Sequence, residues 1–344
     1  MNYQKIKTNN LIKNYLFELS NNEYVNNESP ICIWDLNSLL NNLYSDIKKK
    51  HKENIVKLIS SELNVKSQNC RAFYHWLSGE CPIPIFKFMK FVSLWKDVCH
   101  KTNEEVEKII EEAYMNADYF STKRGKKIRL PKLLTPELAY IIGYISGDGH
   151  LLDVFKEKER TGDFEFRIEI TSNDKYLFMN YIDPYFQKIF DIKGNFYKYK
   201  NRKAYEYYLS SKVLFIFLNK VFELPIGKKN GRLHVPKIVL NSDYQIKAYF
   251  LAGFFDTDGF ITVNKRIGFG LGNKSQELLE ELKNLFKDLN INTRVISRLG
   301  GKTLKGWEFS ISRDSLLIFI DKIPSNHIRK SERLNRLKEI LLVK

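Results

Sequence analysis

Residues 250–259 read FLAGFFDTDG, and residues 140–149 read YIIGYISGDG. The two stretches align position by position at an offset of 110 residues. Each is an apolar stretch of helical character that ends in an acidic Asp-Gly pair. An internal repeat limits the possible architectures more than any other sequence feature, because each copy must form the same supersecondary unit.

Further segments repeat in the same order. Residues 165–178 match 265–279, each a strand that ends as a helix begins, and residues 209–221 match 311–323 at an offset of 102. Between these anchors lie Gly- or Asn-punctuated segments of strand composition. Each half is therefore predicted to contain a helix, two strands, a helix, two strands and a helix.

Two such copies indicate an α+β protein, a pseudo-dimer built by duplication, which we expect to act as a monomer. We place the first repeat at 134–240 and the second at 241–344. Between Asp118 and Leu134 the chain is basic, without a sustained period, so we predict a linker over 121–133.

Alternation in residues 164–170, FEFRIEI, predicts a strand with one apolar and one polar face. Helices would cover the apolar face, and the polar face would be free to meet DNA. An ordinary solvated sheet face is the alternative interpretation. The candidate DNA contacts on these strands or their edges are Arg167, Lys198, Lys200, Arg294 and Arg298.

The carboxylates Asp148 and Asp258 end the two apolar helices, where an anion opposes the helix dipole at a cost of roughly 0.3–1 kcal/mol. Gly143 and Gly253 lie about one turn earlier and would allow the helices to cross closely. The crossing would bring the carboxylates together at the polar sheet face, where their repulsion invites a divalent cation. A simple pair of Asp-Gly helix caps is the alternative.

Paired carboxylates that hold metal suit phosphodiester hydrolysis, because metal activates water and stabilises the leaving oxygen. The charge of the chain agrees with this chemistry. Lys and Arg number 56 against 40 Asp and Glu, a net charge of +16, which favours a polyanionic partner through counterion release. A merely soluble basic protein is the alternative on charge alone.

The four cysteines, Cys32, Cys70, Cys81 and Cys99, show neither zinc-ribbon nor disulfide-framework spacing, so we expect reduced thiols. The sequence shows no apolar run of membrane-spanning length and no signal-peptide core at its start. We therefore expect an intracellular, cytoplasmic protein with no membrane partner.

Residues 58–95, from LISSELNV to KFVSLW, resemble a Cro/repressor-like helix-turn-helix. The resemblance implies an all-α N-terminal domain over 1–120, with its helix-turn-helix region at about 54–95. A helix from about Ser67 to Leu77 would lie in a major groove. A small helical bundle that contacts no DNA is the alternative. The side chains that would reach base edges are Gln68, Asn69 and Arg71.

Residues 251–259, LAGFFDTDG, closely resemble the signature of the LAGLIDADG homing endonucleases, and 141–149 resemble a diverged copy. The resemblance extends from Leu134 to the C-terminus and matches the single-chain, two-motif form. It implies a saddle-shaped antiparallel sheet astride a long double-stranded DNA site, with staggered cleavage supported by Mg²⁺ or Mn²⁺.

By motif match, the resemblance assigns Asp148 and Asp258 to the catalytic, metal-binding positions, with Gly147 and Thr257 beside them as further metal-site residues. It also implies one basic catalytic residue late in each half. These positions correspond to Lys229, for which Lys228 is a rival, and Lys330.

The resemblance also implies a polar or basic position that borders the site at the end of the second strand of each half. It matches Asn173 in the first half and Lys274 in the second, so the halves differ. Asp256 fills the earlier acidic position of its motif, where the first motif has Ser146. Because Asn173 could weaken the first site, one strand could be cut faster than the other, or the enzyme could only nick.

We expect a site-specific, metal-dependent DNA endonuclease of the homing type. Without an intein signature, it is expected to be free-standing. The alternatives are a binding protein of the same fold that has lost cleavage, such as an intron RNA maturase, and a regulator led by the helix-turn-helix. The carboxylate and lysine pairs favour the enzyme.

Overall fold

The computed structural model describes residues 30–51, 55–65, 70–123, 125–153, 166–201, 203–229, 231–262, 267–271, 276–298 and 306–343. The chain divides into two compact units. The first comprises Met1–Leu133 with Lys212–Leu214, and the second comprises Leu134–Ser211 with Phe215–Lys344. Within the described part of the chain, every helix is too short or too polar to cross a membrane.

The first unit combines helices with an antiparallel sheet of strand order β2-β1-β3-β4. Its elements are β1 (Ile31–Ile33), α1 (Asn37–Lys50), α2 (Ile55–Glu62), α3 (Arg71–Ser78), β2 (Ile83–Pro84), α4 (Ile85–Cys99), α5 (Asn103–Asn116), β3 (Tyr119–Thr122) and β4 (Ile128–Arg129).

Two predictions for this region are wrong. The unit is not all-helical, and residues 121–133 contain part of the β3–β4 hairpin rather than forming a linker. The strands are two to four residues long, too short for an alternating pattern to be recognised in the sequence. The helix α4 contacts β1 and β2, and its side chains Phe88 and Phe91 are almost fully buried.

The second unit confirms the α+β prediction, with the order helix, two strands, helix, two strands, helix in each repeat. The first repeat has α6 (Pro136–Asp148), β5 (Gly149–Asp153), β6 (Phe166–Ser172), α7 (Lys175–Leu177), a π-helical turn (Phe178–Ile182), α8 (Asp183–Phe190), β7 (Asn195–Lys198), β8 (Tyr205–Ser210) and α9 (Lys212–Val221).

The short helix α10 (Lys237–Leu240) leads into the second repeat. The repeat has α11 (Tyr244–Asp258), β9 (Gly259–Ile261), β10 (Ile267–Leu271), α12 (Gln276–Asp288), β11 (Ser297–Arg298), β12 (Trp307–Ser310), a 3₁₀ turn (Arg313–Ser315) and α13 (Leu316–Lys322), and α14 (Ile328–Leu342) follows it.

Each repeat forms its own four-stranded antiparallel sheet, with strand orders β5-β6-β8-β7 and β11-β12-β10-β9. In β6 the predicted alternation is present: Phe166, Ile168 and Ile170 are buried, whereas Arg167 and Glu169 are half-buried on the other face. Aromatic side chains of α8 and α12 pack on the apolar faces. The ring contacts are Phe186 with Tyr207 in the first repeat, and Phe286 with Phe309 in the second.

Candidate active site

The helices α6 and α11 begin with matched side-chain caps. Thr135 accepts a hydrogen bond from the backbone N–H of Leu138 at 3.3 Å, and Asp243 accepts one from Ile246 at 3.0 Å. Such caps satisfy N–H groups that a helix leaves unpaired at its start. Each helix ends at its Asp, and the following Gly begins the first strand of the sheet.

The two helices cross at Gly143 and Gly253. A Cβ atom on Gly143 would lie 2.0 Å from the carbonyl oxygen of Phe250, and one on Gly253 would lie 2.0 Å from that of Tyr140. The contacts are with backbone, which cannot move aside as a side chain can. Only glycine permits this approach, and the crossing is pseudo-symmetric.

The crossing brings the acidic helix ends together. A Cβ on Gly147 would lie 1.8 Å from Thr257 Oγ1 and 3.1 Å from Asp258 Oδ2, so the second motif lies directly against the first. Asp148 is exposed and Asp258 is half-buried. Both carboxylates can therefore be reached from solvent at the end of the helix pair.

Lys229 and Lys330 occupy matching positions at these helix ends. Lys229 Nζ donates to the carbonyl oxygens of Ile145, Ser146 and Gly147 at 2.7, 2.9 and 2.8 Å. The carbonyl of Ile145 also accepts the backbone N–H of Gly149. Each ammonium therefore adds a cap at a helix C-terminus and offsets its negative dipole end. Lys330 Nζ does the same for Phe255, Asp256 and Thr257 at 2.6, 3.0 and 3.2 Å.

Burial lowers the pKa of Lys330 to about 8, and the charges of Asp256, Asp148 and Asp258 oppose that fall. Carboxylates of both repeats thus act on one ammonium, in agreement with their proximity. Lys228, the rival to Lys229, is exposed, and its carbonyl oxygen accepts a hydrogen bond from Arg232.

Asp256, predicted to flank the site, is buried at 3% exposure between elements of both repeats. Its carboxylate accepts hydrogen bonds from Tyr140 Oη at 2.6 Å, Ser325 Oγ at 2.5 Å and the backbone N–H of Asn326 at 2.8 Å. Burial raises the pKa of Asp256, and these three donors oppose the rise. Motif matching did not reveal this network.

The other two predicted flanking positions are Asn173 and Lys274. Asn173 is exposed just after β6, and Lys274 lies outside the described residues. His150, next to the first motif, is half-buried; burial and the charge of Lys229 lower its pKa, so its neutral form is favoured.

The oxygen atoms at the helix ends fit a hard divalent cation, which prefers carboxylate and carbonyl ligands. Asp148 and Asp258 supply the carboxylates, and Gly147 and Thr257 supply carbonyls. Each of these carbonyls already accepts from a lysine, but a carbonyl oxygen has a second lone pair. Among the described residues, no cluster of three or more His, Cys, Asp or Glu side chains could hold a metal by itself.

Arg167 lies on the polar face of the first sheet, between two carboxylates. It forms ion pairs with Glu169 at 3.1 Å and Glu206 at 3.0 Å, and its guanidinium lies 3.8 Å from the ring centroid of Tyr208. Much of its positive charge is therefore neutralised within the sheet.

Two of the other predicted DNA contacts lie on the opposite face. Strand register pairs Lys198 with Tyr205 and Arg298 with Trp307, and these positions share the parity of the buried Tyr207 and Phe309. Both residues lie on edge strands, β7 and β11, and strand register decides which face each side chain shares.

Three more of the predicted DNA contacts, Lys200, Arg294 and Arg71, are exposed. Lys200 is exposed beyond the end of β7, and Arg294 is exposed before β11. In the first unit, Arg71 begins α3 on the exposed side, whereas Gln68 and Asn69 lie outside the described residues.

The family model of the LAGLIDADG-like domain matches residues 245–324, which span most of the second repeat. A component of the A-type ATP synthase of Pyrococcus abyssi is 33% identical over 143 residues, which are 42% of this chain and 12% of that protein. An uncharacterized protein of Methanocaldococcus jannaschii is 29% identical over 225 residues, or 60% of this chain and 72% of that protein.

The chain spans about an eighth of the ATP synthase protein. Among solved structures, I-DmoI in complex with DNA and Ca is 22% identical, with a TM-score of 0.43, covering 56% of this chain and 92% of that one. I-LtrWI bound to target DNA is 14% identical, with a TM-score of 0.39, covering 62% and 92%.

Two crossing helices with glycine contacts and lysine-capped acidic ends define a two-repeat α+β protein. Its second repeat contains the segment that matches the family model of the LAGLIDADG-like domain.

Proposed function

We propose that this protein is a homing-type, site-specific endonuclease that cleaves both strands of duplex DNA with divalent metal at Asp148 and Asp258. The observation that carries the proposal is the pairing of two solvent-accessible carboxylates, one from each repeat, with a lysine ammonium at each helix end. A single carboxylate would be explained as a helix cap. Two copies, each set against the unfavourable end of its helix dipole, call for a chemical role.

In the proposed reaction, Asp148 and Asp258 hold the cation and orient the scissile phosphates. Mg²⁺ or Mn²⁺ would supply Lewis acidity and a metal-activated water. Lys229 and Lys330 place positive charge beside the phosphate, where negative charge develops in the transition state. The pKa of about 8 for Lys330 leaves its charged form dominant at neutral pH.

The test is a cleavage selection from a randomised duplex library supplemented with fragments of the source genome, with and without Mg²⁺. Wild-type protein is compared with the Asp148→Asn, Asp258→Asn double variant. Staggered cuts at one long sequence, made only by wild type and only with metal, are expected. Retention of the same sequences by both proteins without any cut would contradict the enzyme proposal and indicate a binding protein, for which intron RNA is the next ligand to try.

A matched control is the Asp243→Asn variant, which removes the same charge at the opposite end of α11, where Asp243 caps the helix. It should keep cleavage, since an Asn side chain can cap a helix about as well as Asp.

A further inference from the structure

A strongly basic hairpin lies in the first unit, outside the candidate active site. Residues 119–134, YFSTKRGKKIRLPKLL, contain six basic residues and no acidic one. The strands β3 and β4 form this hairpin, and Lys123, Lys126, Lys127 and Arg129 are exposed along it. Lys132 is not counted with these exposed cations, because it forms an ion pair with Asp118 at 2.6 Å.

Strand register places Arg129 on one face of the sheet, and the contacts of Lys127 with Trp34 and Tyr119 place it on the same face, whereas Lys123 and Lys126 lie exposed between the two strands. Tyr119 pairs with Arg129, whereas Phe120 and Ile128 pair on the opposite face and are buried. On the neighbouring strand, the backbone N–H of Trp34 donates to the carbonyl of Tyr119 at 3.0 Å. We call Trp34, Tyr119, Lys123, Lys126, Lys127 and Arg129 the hairpin surface.

Aromatic rings hold two of these cations. Lys127 Nζ lies 3.6 Å from the ring centroid of Trp34, and Arg129 donates to Tyr119 Oη at 3.0 Å with its guanidinium 5.5 Å from the ring centroid. The indole N–H of Trp34 donates to Ser121 Oγ at 2.9 Å, which fixes the ring across the sheet. The contact of Lys127 with the Trp34 ring, unlike an ion pair with a carboxylate, leaves the positive charge of the lysine in place.

The predicted recognition helix presents less available charge. In α3, Arg71 Nε donates to His75 at 3.2 Å, and His75 in turn contacts the carboxylate of Glu80. The hairpin surface is the denser array of positive charge, and its side chains include both cations and stacking aromatics, which suits phosphate and sugar rather than an acidic protein surface.

We propose that the hairpin surface binds the sugar-phosphate backbone of duplex DNA, as a second contact that adds affinity without sequence readout. The proposal takes DNA as the partner from the proposed function, but it does not require cleavage. Each lysine that neutralises a phosphate contributes about 0.9 to the slope of log affinity against log salt. Three such lysines would contribute about 2 to 3.

The test compares two triple variants on the Asp148→Asn, Asp258→Asn background. One carries Lys123→Gln, Lys126→Gln and Lys127→Gln. The other carries Lys48→Gln, Lys49→Gln and Lys50→Gln at the exposed end of α1, in the same unit. Both triple substitutions remove three positive charges. Binding to a 60-base-pair duplex of random sequence is measured by fluorescence anisotropy at several KCl concentrations without metal.

We expect the hairpin variant to bind at least about 10-fold more weakly at low salt, with the salt slope reduced by about 2 to 3, and the control to change less than about 3-fold. Equal losses in both variants would overturn the proposal, since net charge alone would then explain them. Binding by the parent protein without any loss in the hairpin variant would overturn it too, while leaving the proposed function intact.

Absence of DNA binding by the parent protein would instead count against the proposed function as well. Thermal melting monitors folding of all proteins. If the hairpin triple variant is unstable, the double variant Lys123→Gln, Lys126→Gln replaces it, because it keeps the contact of Lys127 with Trp34. The expected reduction of the salt slope is then about 1 to 2.

Discussion

In the first repeat, the loop that carries Lys229 is tied to the sheet through backbone. The N–H of Gly227 donates to the carbonyl of Leu151 at 2.8 Å, and Ile226 forms an isolated parallel bridge with the same strand residue. In the second repeat, side chains supply the connection. The segment before Lys330 is tied to α11 through Asp256, which accepts hydrogen bonds from that segment.

The two repeats also differ in a pair of side chains between the crossing helices. Tyr140 of α6 donates to Asp256 of α11, and the pseudo-symmetric counterparts of this pair are Phe250 and Ser146. Ser146 Oγ turns back to the carbonyl of Ile142 within its own helix at 2.8 Å. The tyrosine hydroxyl and the carboxylate are thus present together at one pair of positions, and both are missing at the aligned pair. This is expected, because a buried polar group without a partner is costly.

The two repeats share the residues that the site requires and differ in the contacts that support those residues. Close glycine contacts, acidic helix ends and lysine caps occur in both. The anchors of the lysine-bearing loops do not match, because either a backbone bridge or a side-chain network can hold such a loop.

Each of the two lysines, Lys229 and Lys330, should support cleavage of one DNA strand. Lys229→Met and Lys330→Met are each expected to slow cleavage of one strand by about 10²- to 10³-fold, because each removes a cation from one helix end. Strand-specific labels on a cleavable duplex, followed in single-turnover reactions, measure both rates. Lys228→Met is the matched control and should cleave both strands normally. Equal slowing of both strands by either variant would show that the two sites do not act separately.

The shared glycines should be required for folding. Gly143→Ala and Gly253→Ala are each expected to lower the free energy of unfolding by about 3 kcal/mol, since a Cβ at either position overlaps a backbone carbonyl. Urea titration followed by circular dichroism measures this loss. In Gly231→Ala the new Cβ meets no atom within 4 Å, so only backbone strain at its positive φ should appear, about 1 kcal/mol. Similar losses in all three would remove the crossing as the cause.

The hydrogen-bond network around Asp256 should show energetic coupling between its residues, whereas the aligned positions Ser146 and Phe250 should not. Asp256→Ser is expected to destabilise the protein by about 2 kcal/mol, because it weakens three hydrogen bonds to a buried carboxylate. Adding Tyr140→Phe should cost less than Tyr140→Phe does alone, with a coupling energy of about 1 kcal/mol. A double-mutant cycle by urea unfolding gives that value. The counterpart cycle of Ser146→Ala with Phe250→Leu should show coupling below about 0.5 kcal/mol; similar coupling on both sides would contradict the asymmetry.

Sequence reasoning predicted the repeat architecture well because apolar helix ends and strand alternation are local patterns. FLAGFFDTDG and its copy determine both the helices and the positions of Asp148 and Asp258. The lysines are distant in the chain, at Lys229 and Lys330, and only the family resemblance suggested them. Their actual hydrogen bonds to helix carbonyls depend on tertiary contacts that no local pattern encodes.

The features that sequence reasoning missed also depend on structure that no local pattern shows. Strands β1 to β4 are too short for a period to appear, and the face of Lys198 and Arg298 depends on strand register. The Asp256 network left a detectable trace, since Tyr140 and Asp256 replace Phe250 and Ser146 together at aligned positions. A comparison of the two copies for linked polar differences would have found it.

The smallest predicted effect is the change in duplex affinity when an arginine of either repeat is removed. Arg167 is paired with Glu169 and Glu206, whereas Arg294 is exposed before β11. Because a neutralised guanidinium releases little counterion from DNA, Arg167→Ala should weaken duplex binding by less than about 2-fold, and Arg294→Ala by about 3- to 5-fold. Anisotropy at low salt measures both.

The Glu169→Gln, Glu206→Gln double variant sharpens the contrast between the sheets. It should release the charge of Arg167 and strengthen duplex binding, and adding Arg167→Ala should then abolish that gain. If Arg167→Ala in the wild-type background already weakens binding as much as Arg294→Ala, the two carboxylates do not mask the guanidinium, and the sheets of the two repeats meet DNA alike.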